Sequence, residues 1–100
     1  MGRSALYYED YVLSIQRFSL VINAKPHLPE PYFYRGLAKF YLEDFVGAES
    51  DVSHAITLNP YTANYYVLRG LCKINNKKYD EAEKDYKKSM MKNLKKYNIS

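Results

Sequence analysis

The chain has 100 residues, 47% of them hydrophobic, with four glycines and four prolines, which is too apolar and too little interrupted for a disordered segment. Its net charge of +4 gathers at one end: residues 1–76 balance seven Lys/Arg against seven Asp/Glu, whereas residues 77–100 set eight lysines against Asp80, Glu81, Glu83 and Asp85. The single cysteine, Cys72, excludes an internal disulfide and a multi-cysteine metal site, and no segment approaches the roughly 20 apolar residues that cross a bilayer.

In chain order, residues Met1 to Leu6 lack the apolar core of a signal peptide, and Leu6 breaks the myristoylation pattern. A stretch from Glu9-Asp10-Tyr11 runs towards Pro26. The proline-rich segment Lys25 to Pro31 stops one helix and starts the next, since proline breaks a preceding helix but is tolerated in a first turn. Apolar residues then recur at helical spacing from Glu30 to Leu42. The turn Glu43-Asp44 leads into a helix from about Phe45 to Leu58, which Asn59-Pro60 closes. A helix from about Thr62 to Asn75, a turn at Asn76-Lys77-Lys78 and a helix from Tyr79 into the tail complete the cycle. Leu94 stands where a closing proline would fall, so this last helix is expected to reach about Tyr97.

A shift of 34 residues aligns the chain with itself. Gly36 falls on Gly70, Ala48 on Ala82, Pro26 on Pro60 and Arg35-Gly36 on Arg69-Gly70, while Tyr11, Phe45 and Tyr79 share one register. A fixed period of this length signals one supersecondary unit used repeatedly. Two helices of about 13 residues with short turns fill it, which makes neighbouring helices antiparallel. Gly36 with Ala48 and Ala55, and Gly70 with Ala82 and Ser89, mark places where two helices approach closely, and Phe45 and Tyr79 are expected to plug the space beside each turn.

Phe33-Tyr34-Arg35-Gly36-Leu37-Ala38, Asp44-Phe45, Gly47-Ala48-Glu49 and His54 through Pro60 resemble one complete tetratricopeptide repeat of an Arg-Gly type. Tyr66 through Leu71, Lys78 through Glu83 and Asp85 through Met90 resemble a second, and Glu9 through Pro26 resembles the latter half of a unit, with Gly2 in phase as a remnant of its first helix. The resemblance implies an all-α, right-handed α-α superhelix of about two and a half repeats and roughly five helices. It forms a single domain over 1–100, with a partial repeat over 1–28, a second repeat over 29–62 and a third over 63–100 that carries an extended C-terminal helix. Tyr32 and Tyr66 take the position where the family favours tryptophan, and Ser14 and Val21 take the positions of Ala48 and Ala55.

Arg35 and Asp51 are 16 residues apart, as are Arg69 and Asp85, which lets each pair meet across a helical hairpin as a structural ion pair. In the partial unit the position of the aspartate is Arg17, consistent with pairing inside a unit. In the resembling family the first helix of each unit lines an inner groove. Here it would offer Glu30, Phe33, Tyr34, Leu37 and Tyr41, then Asn64, Val67, Leu71 and Asn75, with Phe33, Tyr34 and Tyr41 giving apolar area and Asn64 and Asn75 hydrogen bonds. Adjacent Phe33 and Tyr34 lie about 100° apart on a helix and cannot share one direction. Some relatives hold a chaperone's C-terminal carboxylate with Lys, Asn and Arg on this face. The matching positions carry Phe33, Leu37, Leu68 and Asn64, so that clamp is not expected.

Cys72, equivalent to Ala38, reads as a buried apolar filler. His27 and His54 have no ligand cluster beside them, and neither a catalytic triad nor a phosphate-cradling glycine loop occurs, so no metal, cofactor or enzyme activity is expected. The favoured function is a protein–protein interaction module that binds a peptide or helix in its groove as part of a larger scaffold. Lys77, Lys78, Lys84, Lys87, Lys88, Lys92, Lys95 and Lys96 supply an alternative, docking on nucleic acid or another anionic surface, although acidic residues at helical spacing favour local pairing and nucleic acid is not the expected partner. A further alternative is a structural or regulatory segment beside an absent domain. Tyr86, Met90, Leu94 and Tyr97 form an apolar stripe on the last helix, which points to a piece of a longer repeat protein or to self-association through that helix. The expected molecule is soluble, without membrane insertion and cytoplasmic by default, with export or envelope association left open.

Overall fold

The computed structural model describes the backbone of residues 2–97 and the side chains of residues 7–93, and these residues form five helices and no strand. They are α1 (Gly2–Ala24), α2 (Pro29–Tyr41), α3 (Phe45–Leu58), α4 (Ala63–Asn75) and α5 (Tyr79–Tyr97). Each helix packs against its neighbours in sequence, and α2 also touches α4. The result is a stacked array measuring 46 × 32 × 20 Å.

Local chemistry sets each boundary. Pro29 and Pro31 occupy the first turn of α2, where a missing N–H costs nothing. The Asp44 carboxylate caps α3 by accepting the Gly47 N–H at 3.0 Å. The corresponding residues Glu43 and Lys77 both sit at φ 64, the left-handed conformation that ends α2 and α4 and lets the chain reverse in two or three residues. Between α1 and α2, and again between α3 and α4, a tyrosine closes the corner. The Tyr32 hydroxyl donates to the Pro26 carbonyl at 3.0 Å, and the Tyr66 hydroxyl to the Pro60 carbonyl at 2.9 Å. Each tyrosine thus brings its own donor to a carbonyl that no helix satisfies.

The core runs through Ile22, Tyr32, Ala48, Val52, Ala55, Ile56, Tyr65, Tyr66, Leu68 and Cys72, with Phe33, Leu37 and Phe40 packed partly against it. Ala48 and Ala55 are fully covered, as the close helix approach at Gly36 requires. Two sequence expectations are altered. No turn separates Gly2 from Tyr11, because nothing between Leu6 and Tyr11 interrupts helical geometry, so Gly2 lies on the same helix as the partial unit. Phe45 packs edge-on against Phe40 with centroids 5.3 Å apart, but Tyr79 remains 62% exposed, because the place of Phe40 is taken in α4 by Ile74, which offers it no ring.

The two repeat glycines meet different neighbours. A Cβ on Gly36 would lie 2.9 Å from Val52 Cγ2 and 3.2 Å from the Ala48 carbonyl oxygen, whereas one on Gly70 would press on the edge of the Tyr86 ring. A backbone carbonyl cannot turn aside and a ring can. Gly36→Ala is therefore expected to destabilise by about 1–2 kcal/mol despite the helix-propensity gain, and Gly70→Ala to change stability by less than about half of that. Urea midpoints of the two variants, compared with the parent, check the order.

Candidate functional site

A partly buried polar constellation joins three helices. Arg35 on α2 donates from Nε and Nη2 to the two carboxylate oxygens of Asp51 on α3, both at 2.8 Å, and from Nη1 to the Ser19 hydroxyl of α1 at 3.1 Å. One unit on, Arg69 of α4 grips Asp85 of α5 at 2.9 and 2.8 Å and reaches Ser53 of α3 at 3.4 Å. A second cation joins each carboxylate: Lys39 Nζ lies 3.1 Å from Asp51, and Lys73 Nζ 3.0 Å from Asp85. The structure brings together all four residues named from spacing. The lysines and serines escaped that reasoning, although the 34-residue echo of Lys39 in Lys73 and of Ser19 in Ser53, with each lysine one turn beyond its arginine, could have found them.

This arrangement anchors the helices to one another. The Asp85 side chain is only 2% exposed. Burial alone would raise its pKa, but hydrogen bonds from Arg69 and Lys73, together with their charges, hold it below the usual 3.8. Arg35 and Arg69 are raised in turn, chiefly by their hydrogen bonds to Asp51 and Asp85.

Of the nine residues assigned to the groove, Glu30, Tyr34, Tyr41, Asn64, Val67, Leu71 and Asn75 are exposed, while Phe33 and Leu37 are half-buried. They do not behave as one set. Phe33 leans on Tyr65 of α4 with centroids 4.8 Å apart, whereas Tyr34 stacks on Phe18 of α1 at 5.8 Å, so the two adjacent rings serve opposite neighbours. Tyr41 also turns to α1, stacked on Tyr11 at 5.2 Å. On α4, Asn75 donates from its side-chain amide to the Leu71 carbonyl of its own helix. Ile74, 39% exposed beside Leu71, is an apolar surface residue that the sequence reading omitted. Burial raises the Tyr65 hydroxyl, and the charge of Glu30 adds to the shift.

Four of the C-terminal lysines have partners among the described residues. Lys88 lies over the Tyr66 ring, Lys92 over Tyr61 and Tyr66, Lys78 reaches Glu49 at 3.1 Å, and Lys87 stands 3.9 Å from Glu83. Of the expected apolar stripe on α5, Tyr86 turns inward onto Gly70 and Met90 stays 63% exposed, while the side chains of Leu94 and Tyr97 lie outside the described residues. Cys72 is fully buried, and desolvation pushes its thiol up to about 12. His54 stacks on Tyr32 with centroids 4.0 Å apart. Among the described residues no helix is long and apolar enough to cross a membrane, and no group of His, Cys, Asp or Glu could hold a metal ion.

No protein-family model matches the chain, and no curated protein matches it. Solved structures do. The first tetratricopeptide domain of Spaghetti (RPAP3), bound to the HSP90 peptide SRMEEVD, superposes with a TM-score of 0.81 at 29% identity over 98% of this chain and 78% of that one. This is the tetratricopeptide-repeat fold. The TPR2B domain of yeast Sti1, in complex with an Hsp70 peptide, gives 0.85 at 22% identity over 97% of this chain and 79% of that chain. MamA from Desulfovibrio magneticus RS-1 gives 0.81 at 21% identity over 99% of this chain and 56% of that chain. The five helices thus follow the all-α, right-handed superhelix of tetratricopeptide solenoids, and the arginine–aspartate anchors lie at the hairpins of that superhelix.

Two measurements follow. Because the folded-state value of Asp85 lies below the unfolded one, the unfolded chain takes up the proton first; the stability this group contributes is complete above about pH 5 and is lost as pH falls through its folded value. Asp85→Asn should cost about 3 kcal/mol at neutral pH, with the gap to the parent closing below about pH 4, read from urea unfolding at each pH. The buried thiol of Cys72 should resist an aromatic disulfide reagent at about pH 8 until denaturant is added, followed by absorbance.

Proposed function

We propose that this chain is a non-catalytic protein–protein interaction module, part of a larger scaffold, that receives a peptide or helix of a partner along its first-of-pair helices α2 and α4. Residues 29–62 and 63–100 would each supply one unit of the surface, with 1–28 as a partial unit before them. The observation that carries the reading is a register of apolar residues: exposed Val67 and Leu71 on α4 repeat the positions of half-buried Phe33 and Leu37 on α2, and exposed Ile74 lies beside Leu71. Glu30 and Asn64, also in register, edge it with polar groups. Side chains of this kind, exposed along two adjacent helices, suit an extended or helical segment with apolar anchors.

The peptide complexes of RPAP3 and Sti1 support a peptide-binding reading for this fold. The chemistry of this surface differs from a carboxylate clamp, since Phe33, Leu37 and Asn64 offer no cation where a clamp would need one and Leu68 is buried in the core. An acidic C-terminal peptide such as SRMEEVD is therefore expected to bind weakly, and peptides selected from a display library to be rich in apolar anchors. Leu71→Asp should weaken a selected peptide by at least about tenfold in calorimetry while Lys84→Glu leaves it unchanged. Tight SRMEEVD binding, or indifference to Leu71→Asp, would sink the proposal.

A further inference from the structure

α5 carries a face whose counterparts on α1 and α3 each receive another helix. Ile22 of α1 and Ile56 of α3 are buried to 8% exposure. Ser19 and Ser53 accept hydrogen bonds from Arg35 and Arg69 of the helix that follows. Glu49 takes the Asn76 side-chain amide at 2.8 Å and the Lys78 ammonium at 3.1 Å. In the same register α5 offers Met90, Lys87 and Glu83. Among the described residues no helix packs over them: Met90 is 63% exposed, and the side chains of Lys87 and Glu83 are both 71% exposed.

A helix like α2 or α4 does not suit this face. Its arginine, which meets a serine hydroxyl on α1 or α3, would here meet the ammonium of Lys87, and like charges brought together at an interface repel. The same objection applies to a second copy of this chain, because both of its first-of-pair helices carry that arginine. We propose that α5 docks an amphipathic helix of a partner protein that carries a carboxylate at the position α2 and α4 give to arginine, with an apolar residue over Met90. Glu83 keeps the residue type of Glu49, so an amide or ammonium about two turns beyond the carboxylate completes the match, as Asn76 follows Arg69 by seven residues. The Lys87–Glu83 pair is exposed and long at 3.9 Å, and yields readily to a better-placed carboxylate. This surface is separate from the strip on α2 and α4.

The chain's own α4 supplies the probe. A helix-stapled, fluorescein-labelled peptide of residues 62–78 carrying Arg69→Glu is titrated against the full chain by anisotropy, beside the unaltered peptide. The glutamate peptide should bind at least about tenfold more tightly, Lys87→Glu in the protein should invert the order, and Met90→Asp should abolish both. Lys87, Met90 and Leu71 are exposed, and circular dichroism checks that the variants at these sites fold. Leu71→Asp in the protein should leave this binding intact. Equal affinity of the two peptides, no binding of either, or self-association of the chain that Met90→Asp removes would each overturn the proposal.

Discussion

A buried carboxylate between two cations is the constraint around which each hairpin of this chain is built. Asp51 and Asp85 are nearly out of water, and a lone charge in that position would be too costly to keep. Arginine and lysine from one face of the preceding helix compensate for that burial, which fixes how α2 lies on α3 and α4 on α5. The third arm of each guanidinium reaches backward to a serine, so the group that orients one hairpin also registers it against the helix before. The close approach of the helices at Gly36 and Ala48 follows from this geometry, since the bidentate contact brings the two axes together at one level.

Much of the architecture was legible in the residues because the period repeats its punctuation. The prolines, the Arg-Gly pairs and the small residues each mark a backbone event that few other residue types permit, and each occurs twice in phase. The 16-residue spacing of arginine and aspartate found the ion pairs for the same reason. Lys39 and Lys73 were not found, because a lysine on an amphipathic helix is ordinarily solvated and only burial of its neighbour draws it in. Tyr34 shows the opposite limit. Its neighbour in register, Leu68, is buried, yet Tyr34 stays exposed and stacks on Phe18, so helical spacing alone could not separate groove from inter-helix contact.

The surface that remains after these contacts are made is uneven, and that bears on function. On α1 and α2 the aromatic rings largely satisfy one another, with Tyr41 on Tyr11 and Tyr34 on Phe18. On α4 the exposed apolar residues, Val67, Leu71 and Ile74, are aliphatic and unstacked. The α4 half of the strip is therefore the softer and more adaptable of the two, while the α2 half is already braced. Among the described lysines of the positive end, Lys88 and Lys92 lie over aromatic rings and Lys78 and Lys87 beside carboxylates.

The tyrosine hydroxyls at the two corners carry a mechanical consequence. Each spans six residues to a proline carbonyl, at 3.0 Å in one corner and 2.9 Å in the other. A stack of hairpins bends most easily where one hairpin hands over to the next, and a short bond from a ring of fixed length works there as a stop. The same bond at both corners limits how far each joint can open, so the two hairpin junctions resist bending alike.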